Sequence, residues 1–346
     1  MAQTQSTSRL IGMAALLLAL LGGCKDHGKA SGDPNDLSDV TIIVGTPNKT
    51  GLRRQLTAAG ETTNLPYKIE WAVFDSTPPL TEALKAGKVD IGGGGETGVL
   101  FAIANGAKIA VLAGTEMRDP DKAVEVLVPA DSPAHSLADL RGRKIALPYY
   151  TAQHYELARA LDKAGLPWDR KLILNLNTVD GLSALVNRQV DALIVWDPNA
   201  AVAQTRFHAR GIGSLRAIVP TAGMLYAAQA SVEDPRKKKA LQDLTRRIIR
   251  AQAWVNDHPE QWAQEMATQA QIPLPAARLT VSRNNADYLP AGDKDVVDRW
   301  QKEVDYFHQQ GQFQTAFNIR DHLAPGFDAI VADENAKLPH KAGAAQ

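Results

Sequence analysis

From residue 40 to residue 226 the chain alternates short apolar runs with longer amphipathic stretches. Short runs bounded by Gly, Pro or Asn read as buried strands, and stretches with a 3.6-residue period read as helices. The first half predicts a strand at 40–45, a polar loop at 46–51 leading into a helical stretch, and a strand at 68–74. A helix at 78–86, a strand at 89–92, a helix at 97–105 and a strand at 108–113 follow. The second half predicts a strand at 144–147, a loop at 148–153, a helix at 154–163 and a strand at 172–176. It continues with a helix at 180–187, a strand at 190–195, a helix at 199–208 and a strand at 215–219. Beyond Tyr226 the pattern is helical, at 240–256, 260–267, 274–280 and 293–310, and residues 331–346 read as a disordered tail.

The halves repeat each other. Glu82-Ala-Leu-Lys-Ala-Gly-Lys-Val-Asp-Ile91 is echoed 101 residues later by Ser183-Ala-Leu-Val-Asn-Arg-Gln-Val-Asp-Ala192. Each copy is the end of an amphipathic helix, a turn and a short strand. Strands separated by helices of this length imply parallel sheets with helical crossovers, and a unit present twice implies two α/β lobes. The fold class expected is therefore two-lobed α/β, with two parallel-rich sheets. Residues 39–126 and 228–330 form the first lobe, and 127–227 the second. Crossings near 126–129 and 225–230 make a double-crossing hinge.

The N-terminus departs from this pattern. Arg9 precedes a twelve-residue apolar run at 10–21, which fits the core of a signal peptide over residues 1–23 and is too short to span a bilayer. Leu21-Gly22-Gly23-Cys24 looks like a bacterial lipobox, and Cys24 is the single cysteine. The alternative is plain secretion with a cysteine there by chance. Residues 24–38 read as a flexible tether, and the location implied is the periplasm, on a membrane. One cysteine excludes an intramolecular disulfide and a Cys-rich metal site. Charge adds an exclusion: 38 Lys+Arg balance 38 Asp+Glu, which opposes a nucleic-acid partner. The run Arg236-Lys237-Lys238-Lys239 reads as a solvated helix start.

In open α/β sheets, ligands bind where strand ends lead into helix starts. Four such loops are nominated, carrying Asn48 and Lys49; Gly95, Glu96 and Thr97; Tyr150, Thr151, Ala152, Gln153 and His154; and Trp196 with Asp197. Thr97, Thr151 and Asp197 read as N-caps, and helix starts converging on one group can hold an anion without net positive charge. The tetraglycine 92–95 admits either close backbone approach to a ligand or a tight packing turn. Trp196 reads as a ligand wall or as core filler, Asp197 as a cap sooner than a ligand, and His154 as a ligand or a structural histidine. Arg283 is a candidate anion partner or a solvated surface arginine. Gly93, Gly95 and Gly98 also match a dinucleotide pattern, but at the third strand and behind an export signal, so that reading is set aside. The chain lacks a Gly-x-Ser-x-Gly elbow, a His-Glu-x-x-His motif and a phosphate loop. No enzyme activity, metal or cofactor is expected, and the chain is expected to act as a monomer.

Segments 78–98, 127–146, 152–165 and 190–198 resemble solute-binding proteins of ABC importers. The likeness is greatest to the aliphatic-sulfonate branch of the sulfonate/nitrate/taurine group, which has a type II periplasmic-binding fold. It covers most of residues 40–325, including Ala253-Trp254-Val255 and Ile319-Arg320-Asp321. The resemblance implies that Gly95, Glu96 and Thr97, with Thr151, Ala152 and Gln153, present anion-facing helix starts. It implies that Trp196 and Asp197 line the cleft and that Arg283 neutralises the anion. The loop 148–153, Gly98 and the loop 46–51 depart from the usual pattern. The function implied is a receptor, lipid-anchored at Cys24, that captures a small organic anion such as an alkanesulfonate for an inner-membrane permease. Nitrate, taurine or a thiamine-pyrimidine precursor as cargo, and an enzyme on the same fold, are the alternatives.

Overall fold

The computed structural model describes residues 35–47, 51–123 and 126–338. The signal peptide, Cys24, Asn48 and Lys49 lie outside the described residues. The chain begins with β1 (Thr41–Thr46), α1 (Leu52–Ala58), β2 (Lys68–Val73), α2 (Thr77–Lys85), β3 (Ile91–Gly94), α3 (Glu96–Ala104) and β4 (Ile109–Met117). It continues with β5 (Val126–Val128), β6 (Ile145–Leu147), α4 (Ala152–Lys163), β7 (Ile173–Asn175), α5 (Thr178–Val186), β8 (Ala192–Ile194), α6 (Asn199–Phe207) and β9 (Arg210–Gly213). Then come α7 (Leu215–Ile218), β10 (Gly223–Ala228), α8 (Gln229–Glu233), α9 (Pro235–Asp257), α10 (Pro259–Ala270) and α11 (Leu274–Arg283). The last elements are β11 (Ala286–Pro290), α12 (Lys294–Gln309) and α13 (Phe327–Ala336).

The strands form two sheets, in the orders β11-β4-β10-β3-β1-β2 and β7-β6-β8-β5-β9. Both are mixed. β10 and β11 run antiparallel to their neighbours in the first sheet, as β5 does in the second. The chain passes from the first sheet to the second between Met117 and Val126, and returns between Gly213 and Gly223. The return is thus earlier than expected, because β10 already belongs to the first sheet. The expected strand at 215–219 is instead the helix α7, started by Ser214, whose hydroxyl accepts the Ala217 N–H. Strand pairing falls to the preceding β9.

Strand alternation builds the core. On β4, Ala110 and Leu112 face α1, α9 and α13, while Ile109 and Val111 face the opposite layer with α2, α3 and α12. That second layer is continuous with Ile145, Leu147, Leu157 and Ile194, so one apolar core joins the two sheets.

Three expectations are corrected here. Residues 331–338 are no loose tail: Phe327, Ile330, Val331 and Glu334 form one buried helical stripe of α13, and Glu334 pairs with Arg250 at 3.0 Å. The stripe begins at Phe327, ahead of the residue at which a tail was expected. The end of the tether, residues 35–38, is docked, with Leu37 buried and the Asp36 carbonyl accepting from Arg236. The basic run does that docking: Arg236 also pairs with Asp39, Lys239 reaches Asn35, and Lys237 reaches Asp90 at 2.6 Å.

The internal repeat has a structural counterpart. The Asp90 carboxylate accepts the Ile43 N–H at 2.8 Å, and the Asp191 carboxylate accepts the Lys144 N–H at 2.8 Å. Both bonds span 47 residues, and they lie 101 residues apart in sequence. Each Val-Asp therefore ties the start of one strand to the start of its sheet neighbour two strands later, β1 to β3 and β6 to β8.

Candidate functional site

The strand ends and helix starts of both sheets face a cleft of about 290 Å³. From the first sheet's side come Pro47, Gly51, Ser76, Thr77, Gly94 and Gly95; from the second come Thr151, Ala152, Gln153, Trp196 and Asp197. An adjoining compartment of about 250 Å³ shares Pro47, Gly51, Gln55, Gly94, Gly95 and Arg216, and is also lined by Glu96, Glu116 and Asp287.

Three helices of at least nine residues open onto this cleft, and none has a side-chain cap. They are α2 behind Ser76, α3 behind Gly95 and α4 behind Thr151. Thr151 turns its hydroxyl away, donating to the Pro148 carbonyl at 2.7 Å. Elsewhere the chain caps helices with side chains: Asn177 on α5, Asp234 on α9 and Asp293 on α12 each accept two backbone N–H groups. A helix start without a cap leaves amide donors, and the positive end of the helix dipole, available to an anion. In α2 the residues after Thr77 are Pro78 and Pro79, which have no N–H, so the hydroxyls of Ser76 and Thr77 are its main polar offering.

The tetraglycine serves packing and the cleft together. A Cβ at Gly92 would lie 2.6 Å from Leu80, and one at Gly94 would lie 2.6 Å from Thr77 Oγ1. Those two positions let α2 close onto the sheet. Gly95 ends the run as the α3 N-cap and faces Ala152 across the cleft, where a Cβ would sit 3.3 Å from the Ala152 Cβ. Trp196 likewise has two roles, packing on the second sheet's core while walling the cleft.

Gly95, Thr151, Ala152, Gln153, Trp196 and Asp197 thus meet in the cleft, with Glu96 in the adjoining compartment. Thr97, Tyr150, His154 and Arg283 are not among its lining residues, and their surroundings explain why. His154 stacks on Tyr149 at 4.9 Å and lies beside Trp168, and its Nδ1 accepts the Tyr150 N–H at 3.1 Å. Burial pushes its imidazole down to about 4, so it is neutral. Tyr150 packs edge-on against Phe101 at 4.7 Å. Thr97 is not the N-cap but a buried donor to Glu303 at 2.5 Å. Asp197 is not the N-cap of α6, which is Pro198, although its Oδ1 accepts the Ala201 N–H at 2.9 Å.

Arg283 is buried behind Asp197. Its Nη2 donates to Gln204 at 2.7 Å, and its Nη1 lies 3.7 Å from Asp197 Oδ1. Burial pulls its guanidinium below the ordinary arginine value. It offsets the Asp197 charge from outside the cleft.

The pattern of loops did not reveal the other wall, formed by Val255, Trp262, Met266 and Val281 from α9, α10 and α11. These are ordinary core-type residues, and no local signal separates a cleft face from a packed one. Nor did it reveal Arg216, which precedes β10 on the return crossing. Behind the cleft, Glu96, Glu156 and Glu303 are fully buried on α3, α4 and α12. Glu156 accepts from Thr221 at 2.7 Å and from Arg216 at 3.2 Å. Burial pushes the Glu96 carboxyl up, and burial with the neighbouring Glu96 charge pushes Glu303 well up.

An aliphatic sulfonates-binding protein of Escherichia coli (strain K12) is 27% identical over 256 residues, covering 74% of this chain and 79% of its own. Two solved structures share the fold. The periplasmic aliphatic sulphonate-binding protein of Escherichia coli has a TM-score of 0.70 at 24% identity, covering 83% of this chain and 92% of its own. The alkanesulfonate-binding protein of Xanthomonas axonopodis pv. citri, bound to MOPS, has a TM-score of 0.74 at 24% identity, covering 83% and 98%. The desulfurization enzyme DSZB shares the fold more distantly, with a TM-score of 0.60 at 17% identity over 85% and 99%. The architecture is therefore the periplasmic-binding-protein fold. With the NMT1/THI5-like pattern matched across residues 75–262, more than half its length, the chain belongs to the NMT1/THI5-like family.

Proposed function

We propose that this chain is the extracytoplasmic solute-binding component of an ABC importer, capturing a small organic anion with an apolar tail, an aliphatic sulfonate above all. The observation that carries the reading is the set of helix starts without side-chain caps meeting in one cleft, opposite the apolar wall of Val255, Trp262, Met266 and Val281. Amide donors suit the anionic head, and the apolar wall suits an alkyl tail better than it suits nitrate. The relatives that bind sulfonates support the same cargo. In this reading the two sheet-bearing halves close on the ligand about the double crossing, and ligand contacts specific to the closed form shift the population. The chain works in the periplasm as a monomer, tethered by lipid at Cys24, and passes its cargo to an inner-membrane permease. No turnover is part of this reading. An enzyme on this fold would call on His154 with Glu96, and the stacking of His154 against Tyr149 and Trp168, away from the cleft lining, supports binding over turnover.

A thermal-shift screen of the full-length chain against hexanesulfonate, taurine, nitrate, sulfate and a pyrimidine tests this. Hexanesulfonate at about a hundredfold over its Kd stabilises the chain by about 2.7 kcal/mol. A pyrimidine that shifts the melting point while no anion does so overturns the reading.

A further inference from the structure

Arg216 is the only cation among the described residues lining either compartment of the cleft. It belongs to both compartments and sits in α7, on the segment that returns from the second sheet to the first. Its side chain is mostly buried, and it is held from both sides. Nε donates to Glu156 Oε1 on α4 at 3.2 Å, and Nη1 meets the Met117 sulfur at the end of β4 at 2.7 Å. Thr221 donates to the same Glu156 oxygen at 2.7 Å. The guanidinium is thereby held between the two sheets. The other arginine near the cleft, Arg283, is engaged with Gln204 and Asp197 outside the lining.

We infer that Arg216 is the specificity-determining cation of the site: it selects a fully ionised head group over a neutral isostere, while Glu156 positions it. The inference rests on the anion-receptor reading and deepens it by assigning the charge partner. Helix-start amides carry only partial charge, so they contribute a modest preference for a sulfonate over a sulfonamide or a sulfone. A fixed guanidinium carries a whole charge, and it makes an ion pair only with the anion. Because Arg216 lies on the crossing segment, the bond also ties the head group to the element about which the halves move.

The test titrates the full-length chain with hexanesulfonate and with hexanesulfonamide, which is neutral near pH 7. The wild type prefers the sulfonate. Arg216→Gln weakens the sulfonate by about 10- to 100-fold and leaves the sulfonamide within about threefold, so the preference collapses. Arg216→Lys keeps the charge but not the fork, and retains part of the preference; it serves as the measurement if the glutamine variant does not fold. Glu156→Gln, which frees the guanidinium to reorient, lowers the preference while sulfonamide affinity holds. Equal sulfonate affinity in wild type and Arg216→Gln overturns the assignment and leaves the receptor reading standing, as does loss of both ligands in the same proportion in Arg216→Gln and Arg216→Lys. A wild-type chain that binds no sulfonate overturns both.

Discussion

A methyl group at Gly94 would lie 2.6 Å from Thr77 Oγ1 and 3.2 Å from Pro47, whereas at Gly93 the nearest atoms are 3.6 Å away. The backbone at neither position is left-handed, so the difference is one of space and not of conformational freedom. Gly94→Ala should therefore cost about 1–3 kcal/mol through overpacking, and weaken ligand binding because Thr77 and Pro47 both line the cleft. Gly93→Ala should stay within about 1 kcal/mol of wild type and bind normally. Urea unfolding of both variants, with titration of hexanesulfonate, checks this. Equal losses at the two positions would show that the run is intolerant of any side chain, and the packing account would fall. The same scale explains why the arginine expected in the cleft is displaced by another. Arg283 stood out in sequence because Asn284-Asn285 follows it, yet Asn284 lines the cleft while Arg283 turns behind Asp197. Arg216 carries no local signal at all, since only the return crossing brings it to the cleft.

Helix starts are where element and function trade against each other. An acid at position 151 would accept an amide at the α4 start but lose the hydroxyl bond to the Pro148 carbonyl, so the stability of the empty protein should change by no more than about 1 kcal/mol. The same carboxylate would occupy and repel the anion site. Thr151→Asp is thus expected to leave the ligand-free melting temperature within a few degrees of wild type while hexanesulfonate affinity falls at least about tenfold. Unimpaired binding in that variant would remove the α4 start from the site. The repeated aspartates offer a second comparison. Asp90 is buried and receives Ile43, Ser231 and Lys237, whereas Asp191 is half exposed and receives Lys144. Asp90→Ala should cost about 2–4 kcal/mol and Asp191→Ala about 1 kcal/mol, read by chemical denaturation. These elements also show what a linear pattern can convey. The repeat, the βα alternation and the helix start at Thr151 are legible because strand and helix periods are local properties, whereas α3 starts at Gly95, two residues ahead of the expected cap Thr97. The antiparallel β10 and β11 were not, because strand direction is set by the crossings. The helix at 215–218 was missed because Ser214 caps an apolar run short enough to pass for a strand.

At the scale of the whole molecule, the seam between the two sheets gathers three buried carboxyl groups. Glu96 on α3, Glu156 on α4 and Glu303 on α12 are all buried there, with Arg216 as the arginine bonded to one of them and Thr97 donating to Glu303. Arg299 adds a more distant positive field, and its own carboxylate partner is Glu116. Three ionised carboxylates in one apolar seam would repel each other strongly, so protons are retained, most firmly on Glu303. In the unfolded chain Glu303 ionises near its ordinary value of 4.5, while in the fold it holds its proton to higher pH. Above 4.5 the unfolded state has released a proton that the native state keeps, so stability declines as pH rises until the folded group ionises as well. Glu96 contributes with the same sign. His154 acts oppositely: neutral in the fold and pushed down to about 4 from 6.5, it costs stability as pH falls through that interval, by up to about 3 kcal/mol. The two contributions oppose each other between pH 4.5 and pH 6.5. Glu303→Gln removes the alkaline arm. It replaces a carboxyl that must be kept protonated by an amide that is always neutral, and its carbonyl still accepts from Thr97. Relative to wild type, the variant should gain stability as pH rises from 5 to 8, with the gap closing below pH 4.5, where Glu303 is protonated in the folded and the unfolded chain alike. Melting temperatures of the two proteins across pH 4 to 9 measure this directly. A difference that stays constant with pH would mean that Glu303 does not change protonation on folding, and that the seam is balanced by some other arrangement of its charges.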